Sequence, residues 1–342
     1  MDHGFIHTID PVLLRVGGIN CYYYGLAYAL GFLGVFGWFR WRRQALGWRV
    51  EDIYDFTILC SLAVLVGGRL FAILIYHWDY YRNHLPELFS YWQGGMASHG
   101  VLLGGVIAVW TFSRRQQNTF LRISDEIVVP GAFLLALGRL GNFVNGQIVG
   151  TPTDLWWGVR FPGIEGFRHP VTLYESAKNL LLLPILLLVM RRSRAGTGHM
   201  TAHFIFWYGF LRIFCDCFRE HGAELFGIGR NQYFNAAMAV CGLILLLYLR
   251  KRSQPVKPPA EGPPVVLSRS NPRWSLLLRK ALLAGIVLFS LVIRSAWTPE
   301  VLQEHRGQKL SNLRWLHLRH TKVTRESVQE SKQAIPGLRV FR

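Results

Sequence analysis

Seven apolar runs dominate this chain, each close to the ~20 residues a helix needs to cross a bilayer: roughly 20–39, 55–76, 95–112, 127–145, 173–190, 200–218 and 231–249. Backbone polar groups in hydrocarbon must be satisfied within their own segment, so such runs are restricted to helices. Composition points the same way. Charged residues make up 17% of the sequence, against about 25% in a soluble domain. The expected fold is an all-α polytopic membrane protein, one bundle of seven transmembrane helices followed by a C-terminal extension.

The loops set the expected orientation. Arg40, Arg42, Arg43 and Arg49 follow the first run; Arg114, Arg115 and Arg122 the third; Arg191, Arg192 and Arg194 the fifth; Arg250, Lys251, Arg252 and Lys257 the seventh. The intervening loops hold only Arg82, then Arg160 and Arg168, then Arg219 and Arg230. Cytoplasmic loops carry the excess of Lys and Arg, so the N-terminus is expected outside and the C-terminus in the cytoplasm. The first run does not read as a signal peptide: Asp2 and Asp10 precede it and no small-residue cleavage site follows.

The net charge of +18 would suggest nucleic acid in a soluble protein. Here the cations sit in short loops and the tail, where anionic lipid headgroups are the better partner; no nucleic-acid partner is expected. Cys21, Cys60, Cys215, Cys217 and Cys241 lie in or beside apolar runs and give no disulfide framework or metal site. Residues 1–252 form the expected membrane core. Residues 253–274, with Pro255, Pro258, Pro259, Pro263 and Pro264, read as a linker. Residues 275–342 form a basic extension with a short apolar segment, Leu282–Ile293, expected to lie on the membrane surface or to re-enter it. His317-x-x-His320 in the tail reads as a solvated basic face rather than a metal site.

Polar residues inside the apolar runs carry the functional information. Gly138, Arg139, Gly141, Asn142, Asn145 and Gly146 fall within an arc of about 160° on an ideal helix, opposite Leu137, Leu140, Phe143 and Val144. Helix packing explains small residues and asparagines on one face. It does not explain an arginine, which costs at least ~2.5–3.5 kcal/mol at the centre of a bilayer. In the sixth run Tyr208, Arg212, Asp216 and Arg219 share a stripe about 80° wide; an internal Arg212–Asp216 pair is the alternative reading there. The second run adds Arg69, the third His99 and the first Tyr24, each of which has a purely structural alternative. With the orientation above, these groups share one depth on the external side. They imply an outward-open cavity of excess positive charge whose ligand is an anion, such as a phospholipid phosphate held by arginine forks.

The stretch Gly138-Arg139-Leu140-Gly141-Asn142-Phe143-Val144-Asn145-Gly146, with Gly150 downstream, resembles the signature of the prolipoprotein diacylglyceryl transferase family. Tyr24-Gly25, Gly67-Gly68-Arg69, Ser98-His99-Gly100, Arg168-His169-Pro170 with Leu173-Tyr174-Glu175, and Tyr208-Gly209 leading to Arg212 and Arg219 are similar too, in family order over about residues 10–250. The resemblance implies transfer of a diacylglyceryl group from phosphatidylglycerol to the lipobox cysteine of prolipoprotein signal peptides at a bacterial inner membrane, with a site open to the periplasmic leaflet. Arg139 and Arg212 would bind phosphatidylglycerol and stabilise its departing phosphate. Asn142, Arg219, Arg69, Gly150 and Tyr24 would bind or orient substrate, and His99 would take the thiol proton. No metal or organic cofactor is implied. Gln147 stands where the family usually has Glu, Val101 where it has Gly, and Asp216 where it has Glu. Those departures motivate an inactive lipid- or lipoprotein-binding homologue as an alternative; a less favoured one is an anion transporter, although no internal repeat is visible.

Overall fold

A computed structural model describes residues 4–116, 120–193, 196–220, 224–225, 228–252, 273–295, 315–317 and 339–341. The described chain opens with β1 (Phe5–Ile6) and a hairpin of β2 (Val12–Val16) and β3 (Ile19–Tyr22) turned by Gly17 and Gly18, both at positive φ. Helices α1 (Tyr23–Leu46) and α2 (Val50–Phe71) follow; α2 continues through a π-helical turn, Ala72–Tyr76, into the four-residue α3 (Trp78–Tyr81). Then come α4 (Ser98–Arg115), α5 (Phe120–Val144), β4 (Val159–Arg160), α6 (Val171–Arg192), α7 (His199–Cys217), α8 (Arg230–Arg252) and α9 (Arg273–Ser290). β1 pairs in parallel with β4, tying the N-terminal segment to the loop between α5 and α6. Two further two-stranded pairs join 224–225 to 228–229 and 315–317 to 339–341.

Long helices thus cover all seven apolar runs. Among the described residues, four helical segments are long and apolar enough to cross a membrane: Val50–Ile75, Phe120–Val144, Val171–Arg192 and Gln232–Lys251. The other three long helices of the core are diluted by polar residues: Arg40, Arg42 and Arg43 in α1, His99, Arg114 and Arg115 in α4, and His203, Arg212 and Asp216 in α7. The helix exteriors are apolar and exposed, as at Leu33, Leu74, Ile107, Leu181, Ile244 and Leu247. A water-soluble protein would not leave such a surface open.

α1 packs on α5 and α2, α2 on α4, α5 on α6 and α7, and α7 on α8. At the basic end of α1, Phe39 stacks on Trp48 with ring centroids 5.1 Å apart, and Phe56 and Phe112 close the cluster. Arg42 there grips buried Glu126 through Nε at 2.9 Å and Nη2 at 2.8 Å. Asp125, next in sequence, accepts from the Gly198 and Thr201 backbone N–H groups at 2.8 and 2.9 Å. A carboxylate there satisfies orphan donors at the start of α7. These contacts fix α5, whose other end carries the arginine.

The extension departs from expectation. The helical segment begins earlier than Leu282, at Arg273. As α9 it packs lengthwise against α1 and α2. Arg279 binds Asp55 near the start of α2, with Nε–Oδ1 at 2.6 Å, and beyond its last turn Leu291 accepts from the Tyr22 N–H at 2.8 Å beside the start of α1. α1 and α2 are joined by the tight Gly47-Trp48-Arg49 connection, so these are opposite ends of the bundle. Ser295 therefore lies at the opposite end from Arg252, not on the expected cytoplasmic side with it. The sequence count missed this because Arg279 and Lys280 interrupt the hydropathy while an acidic partner at the rim accommodates one of them.

Candidate functional site

The signature of α5 ends in a tight reversal. The Asn145 N–H donates to Gly141 O at 3.1 Å, Gly146 to Phe143 O at 2.8 Å and Gln147 to Asn142 O at 3.0 Å. Gly146 has φ 62°, the left-handed geometry that commonly closes a helix. Two residues on, Ile148 also holds positive φ, 58°, a strained state for a β-branched residue. His7 covers the turn from the N-terminal side, its Nε2 2.8 Å from Phe143 O. Gly141 lets α1 approach closely: a Cβ there would lie 2.9 Å from Tyr24 Cδ2 and 3.1 Å from Tyr24 Cα.

Arg139, one turn before this reversal, meets a carboxylate. Its Nε lies 2.5 Å from Oε2 of Glu175 on α6, and Nη1 of Arg212 on α7 lies 3.3 Å from the same oxygen. Glu175 is fully buried and both arginines are nearly so. Arg219 follows α7 and pairs with buried Asp216 at 4.0 Å. Arg219 and Lys178 also lie within electrostatic reach of Glu175. Lys178, one turn after Glu175 on α6, is buried with its ammonium 3.6 Å from the centroid of the Tyr208 ring, a cation–π contact. Four cations face two carboxylates, so the cluster carries a formal excess of two positive charges. A desolvated charge surplus of this kind is built to receive an anion, and arginine forks suit a phosphate.

The structure brings Arg139, Arg212 and Arg219 together as expected, but around Glu175. Arg212 reaches across to α6 as well as lying beside Asp216 on its own helix. Glu175 and Lys178 were missed as site groups. The signal was available, since a Glu and a Lys one turn apart in an apolar run are as costly as Arg139. Tyr24 and Asn142 sit at the end of the cluster where α5 meets α1: Tyr24 is buried against Gly141, with its hydroxyl 3.4 Å from that of Tyr28. Asn142 Nδ2 donates to Gln147 Oε1 at 3.1 Å.

Three expected residues stand elsewhere. Arg69 is almost completely buried and holds a loop: it donates to the carbonyls of Leu88, Glu87, Ser90 and Gly94 and to the Tyr81 hydroxyl, and lies over the Tyr81 and Tyr91 rings. The 85–94 loop supplies carbonyl acceptors that the sequence pattern could not reveal. Gly150 is buried where three segments cross. Its N–H donates to His169 O at 3.2 Å, and a Cβ there would meet His169 O and Phe218 O. His99 is exposed in the first turn of α4 and stacks on Phe71 of α2, centroids 5.8 Å apart. His169, in the loop before α6, is buried beside the Tyr174 hydroxyl, Nδ1 to oxygen 3.1 Å, and burial pushes its pKa below the ordinary imidazole value.

A helical bundle with an apolar exterior and a buried, cation-rich cluster on three packed helices defines a membrane protein that handles an anionic ligand. The chain belongs to the prolipoprotein diacylglyceryl transferase family, whose model matches residues 11–248. It is similar to phosphatidylglycerol–prolipoprotein diacylglyceryl transferases of Pseudoalteromonas atlantica (34% identical over 255 residues, 72% of this chain and 91% of the relative) and Geobacter sulfurreducens (37% over 254 residues, 71% and 96%). The relative from Nitrosomonas europaea is 35% identical over 273 residues, 77% of this chain and 95% of its own. The match takes in Arg139, Glu175, Lys178, Arg212 and Arg219, while α9 lies beyond the residues the family model covers.

Proposed function

We propose that this chain transfers the diacylglyceryl group of phosphatidylglycerol to the lipobox cysteine thiol of prolipoproteins in a bacterial inner membrane. The observation that carries the reading is the convergence of Arg139 and Arg212, with Arg219 and Lys178 near, on one buried carboxylate within the family-matched residues. In this reading α1, α2 and α4 to α8 all cross the membrane, the N-terminus lies outside and Arg252 in the cytoplasm. The alternation of basic loops supports that orientation, and it turns the cluster toward the periplasmic leaflet.

The thiolate sulfur attacks the glyceryl carbon that bears the phosphate ester. A C–S bond forms, the C–O bond breaks, and its electron pair leaves with the phosphate as glycerol phosphate. Negative charge grows on that leaving group, so preorganised cations at its oxygens lower the barrier. Arg139 and Arg212 take that role, already oriented by Glu175. Arg219 and Asn142 hold the phosphate or the glycerol, and Tyr24 orients the headgroup. A thiol of pKa ≈ 8.5 reacts as thiolate, and the surplus positive charge of the cluster favours that ion while solvent takes the proton. Arg69 and Gly150 act by fixing the 85–94 and 145–170 loops. The purified chain in vesicles of labelled phosphatidylglycerol should place the label on a prolipoprotein substrate with release of glycerol phosphate, and its gene should sustain a transferase-depleted bacterium. Lipid binding without transfer or rescue would favour the inactive homologue instead.

A further inference from the structure

The relatives named above are matched over nine-tenths or more of their length by 71–77% of this chain, and the family model ends at residue 248. The extension is thus additional, yet part of it is built into the site. Its sequence runs Arg279-Lys280, then a stretch from Ala281 to Ile293 that is apolar but for Ser290, then Arg294-Ser295-Ala296. A basic pair, an apolar segment of 7–15 residues and small residues after it is the pattern of a secretory signal segment.

The groove that receives it is specific at both ends. Arg279 binds Asp55 at one rim. At the other, Gly25 of α1 admits the chain itself: a Cβ there would collide with the carbonyl oxygens of Ser290 and Leu291. Ile293 is fully buried among Tyr24, Tyr28, Phe32, Val64 and Leu65. The Arg294 N–H donates to Tyr91 O at 3.3 Å. The chain then delivers Ser295 to the site: Asn142 Nδ2 donates to Ser295 Oγ at 3.1 Å, the Ser295 hydroxyl donates to Gln147 Oε1, and the Tyr24 hydroxyl lies beside it. An open apolar groove of about 470 Å³ runs along the seam with α2, lined by Leu62, Leu65, Val66, Leu282, Ile286 and Phe289, and Leu277, Leu278 and Leu288 face outward.

We propose that residues 279–295 are an intrachain pseudosubstrate: they occupy the groove of α1 and α2 that receives the signal segment of a prolipoprotein, with the Ser295 hydroxyl standing where the acceptor thiol would lie. This rests on the transfer reading above. A serine hydroxyl ionises far less readily than a thiol, so the segment fills the position without accepting the lipid, and a prolipoprotein must displace it. Gln147, which departs from the family's usual Glu, accepts the hydrogen bond of the Ser295 hydroxyl; a neutral amide there suits a neutral hydroxyl.

The test uses the full chain in nanodiscs of phosphatidylethanolamine and phosphatidylglycerol, and a fluorescent prolipoprotein signal peptide whose acceptor cysteine is replaced by serine. Ile293→Asp places an unpaired carboxyl in an apolar pocket and should release the segment; Arg279→Asp changes only a rim contact, turning attraction to Asp55 into repulsion. A groove occupied nine-tenths of the time raises the apparent Kd about tenfold, so the peptide should bind about tenfold more tightly to each variant than to the wild type. Equal affinity within twofold for Arg279→Asp, weaker binding to it, or no peptide binding to any of the three proteins overturns the proposal. Transfer to the cysteine-bearing peptide is measured in the same discs. Its absence from all three refutes the transfer reading, while the order of the affinities still decides the pseudosubstrate.

Discussion

Replacing Glu175 with Gln tests whether one carboxylate organises the site. The change keeps shape and removes the charge that Arg139 and Arg212 share at 2.5 and 3.3 Å. At an effective dielectric near 20, the attraction at 3.3 Å alone is about 5 kcal/mol before desolvation is subtracted. Removing one partner of a buried ionic cluster typically costs 3–5 kcal/mol, because the remaining charge is left uncompensated. At about 2.1 cal/mol/K of unfolding entropy per residue, a chain of 342 residues shifts by about 1.4 °C per kcal/mol, so Glu175→Gln should lower the unfolding midpoint by roughly 4–7 °C. The assay is tryptophan fluorescence during heating in detergent, with both proteins scanned at one rate because unfolding of such proteins is commonly irreversible. Transfer should fall as well, although the change raises the positive surplus, because two arginines lose the group that aims them. A variant with wild-type midpoint and turnover would refute the reasoning: Arg139 and Arg212 would then be held by something other than Glu175.

Two other outcomes follow from the same contacts. Arg69→Ala removes the donor for four loop carbonyls and should speed proteolysis and hydrogen exchange within 85–94 while KM for phosphatidylglycerol changes less than kcat; a large rise in KM alone would return Arg69 to substrate binding. Burial lowers the His169 pKa, so the folded state binds fewer protons than the unfolded one as pH falls through the ordinary imidazole value of about 6.5, and stability should rise with pH through that range and level off above it. The slope of the unfolding midpoint between pH 5 and pH 7 should be shallower in His169→Asn than in the wild type; parallel slopes would contradict the assignment.

The hydropathy pattern and its basic loops disclosed the long helices, because the bilayer imposes both length and charge asymmetry. Arg139 and Arg212 were legible as well, since a charge in an apolar run is expensive and one helical face collects it. Glu175 was less so. It stands in a different helix from both arginines, and no local spacing joins it to them. Arg69 shows the converse: as anomalous in sequence as Arg139, it is satisfied by carbonyls of an irregular loop whose path depends on tertiary packing. The course of 273–295 was hidden for another reason. Arg279 broke its hydropathy, and only the fold places Asp55 opposite that charge and Asn142 opposite Ser295.

The most direct test of the account is turnover of Arg139→Ala, set beside Arg139→Lys, in vesicles of phosphatidylglycerol. If a preorganised guanidinium stabilises the departing phosphate, kcat should fall about 10²–10³-fold, as when one such donor is removed elsewhere. Lysine, which keeps the charge but lacks the fork, should recover only part of the loss. Turnover of the alanine variant within twofold of the wild type, in protein that is inserted and folded, would contradict the central claim.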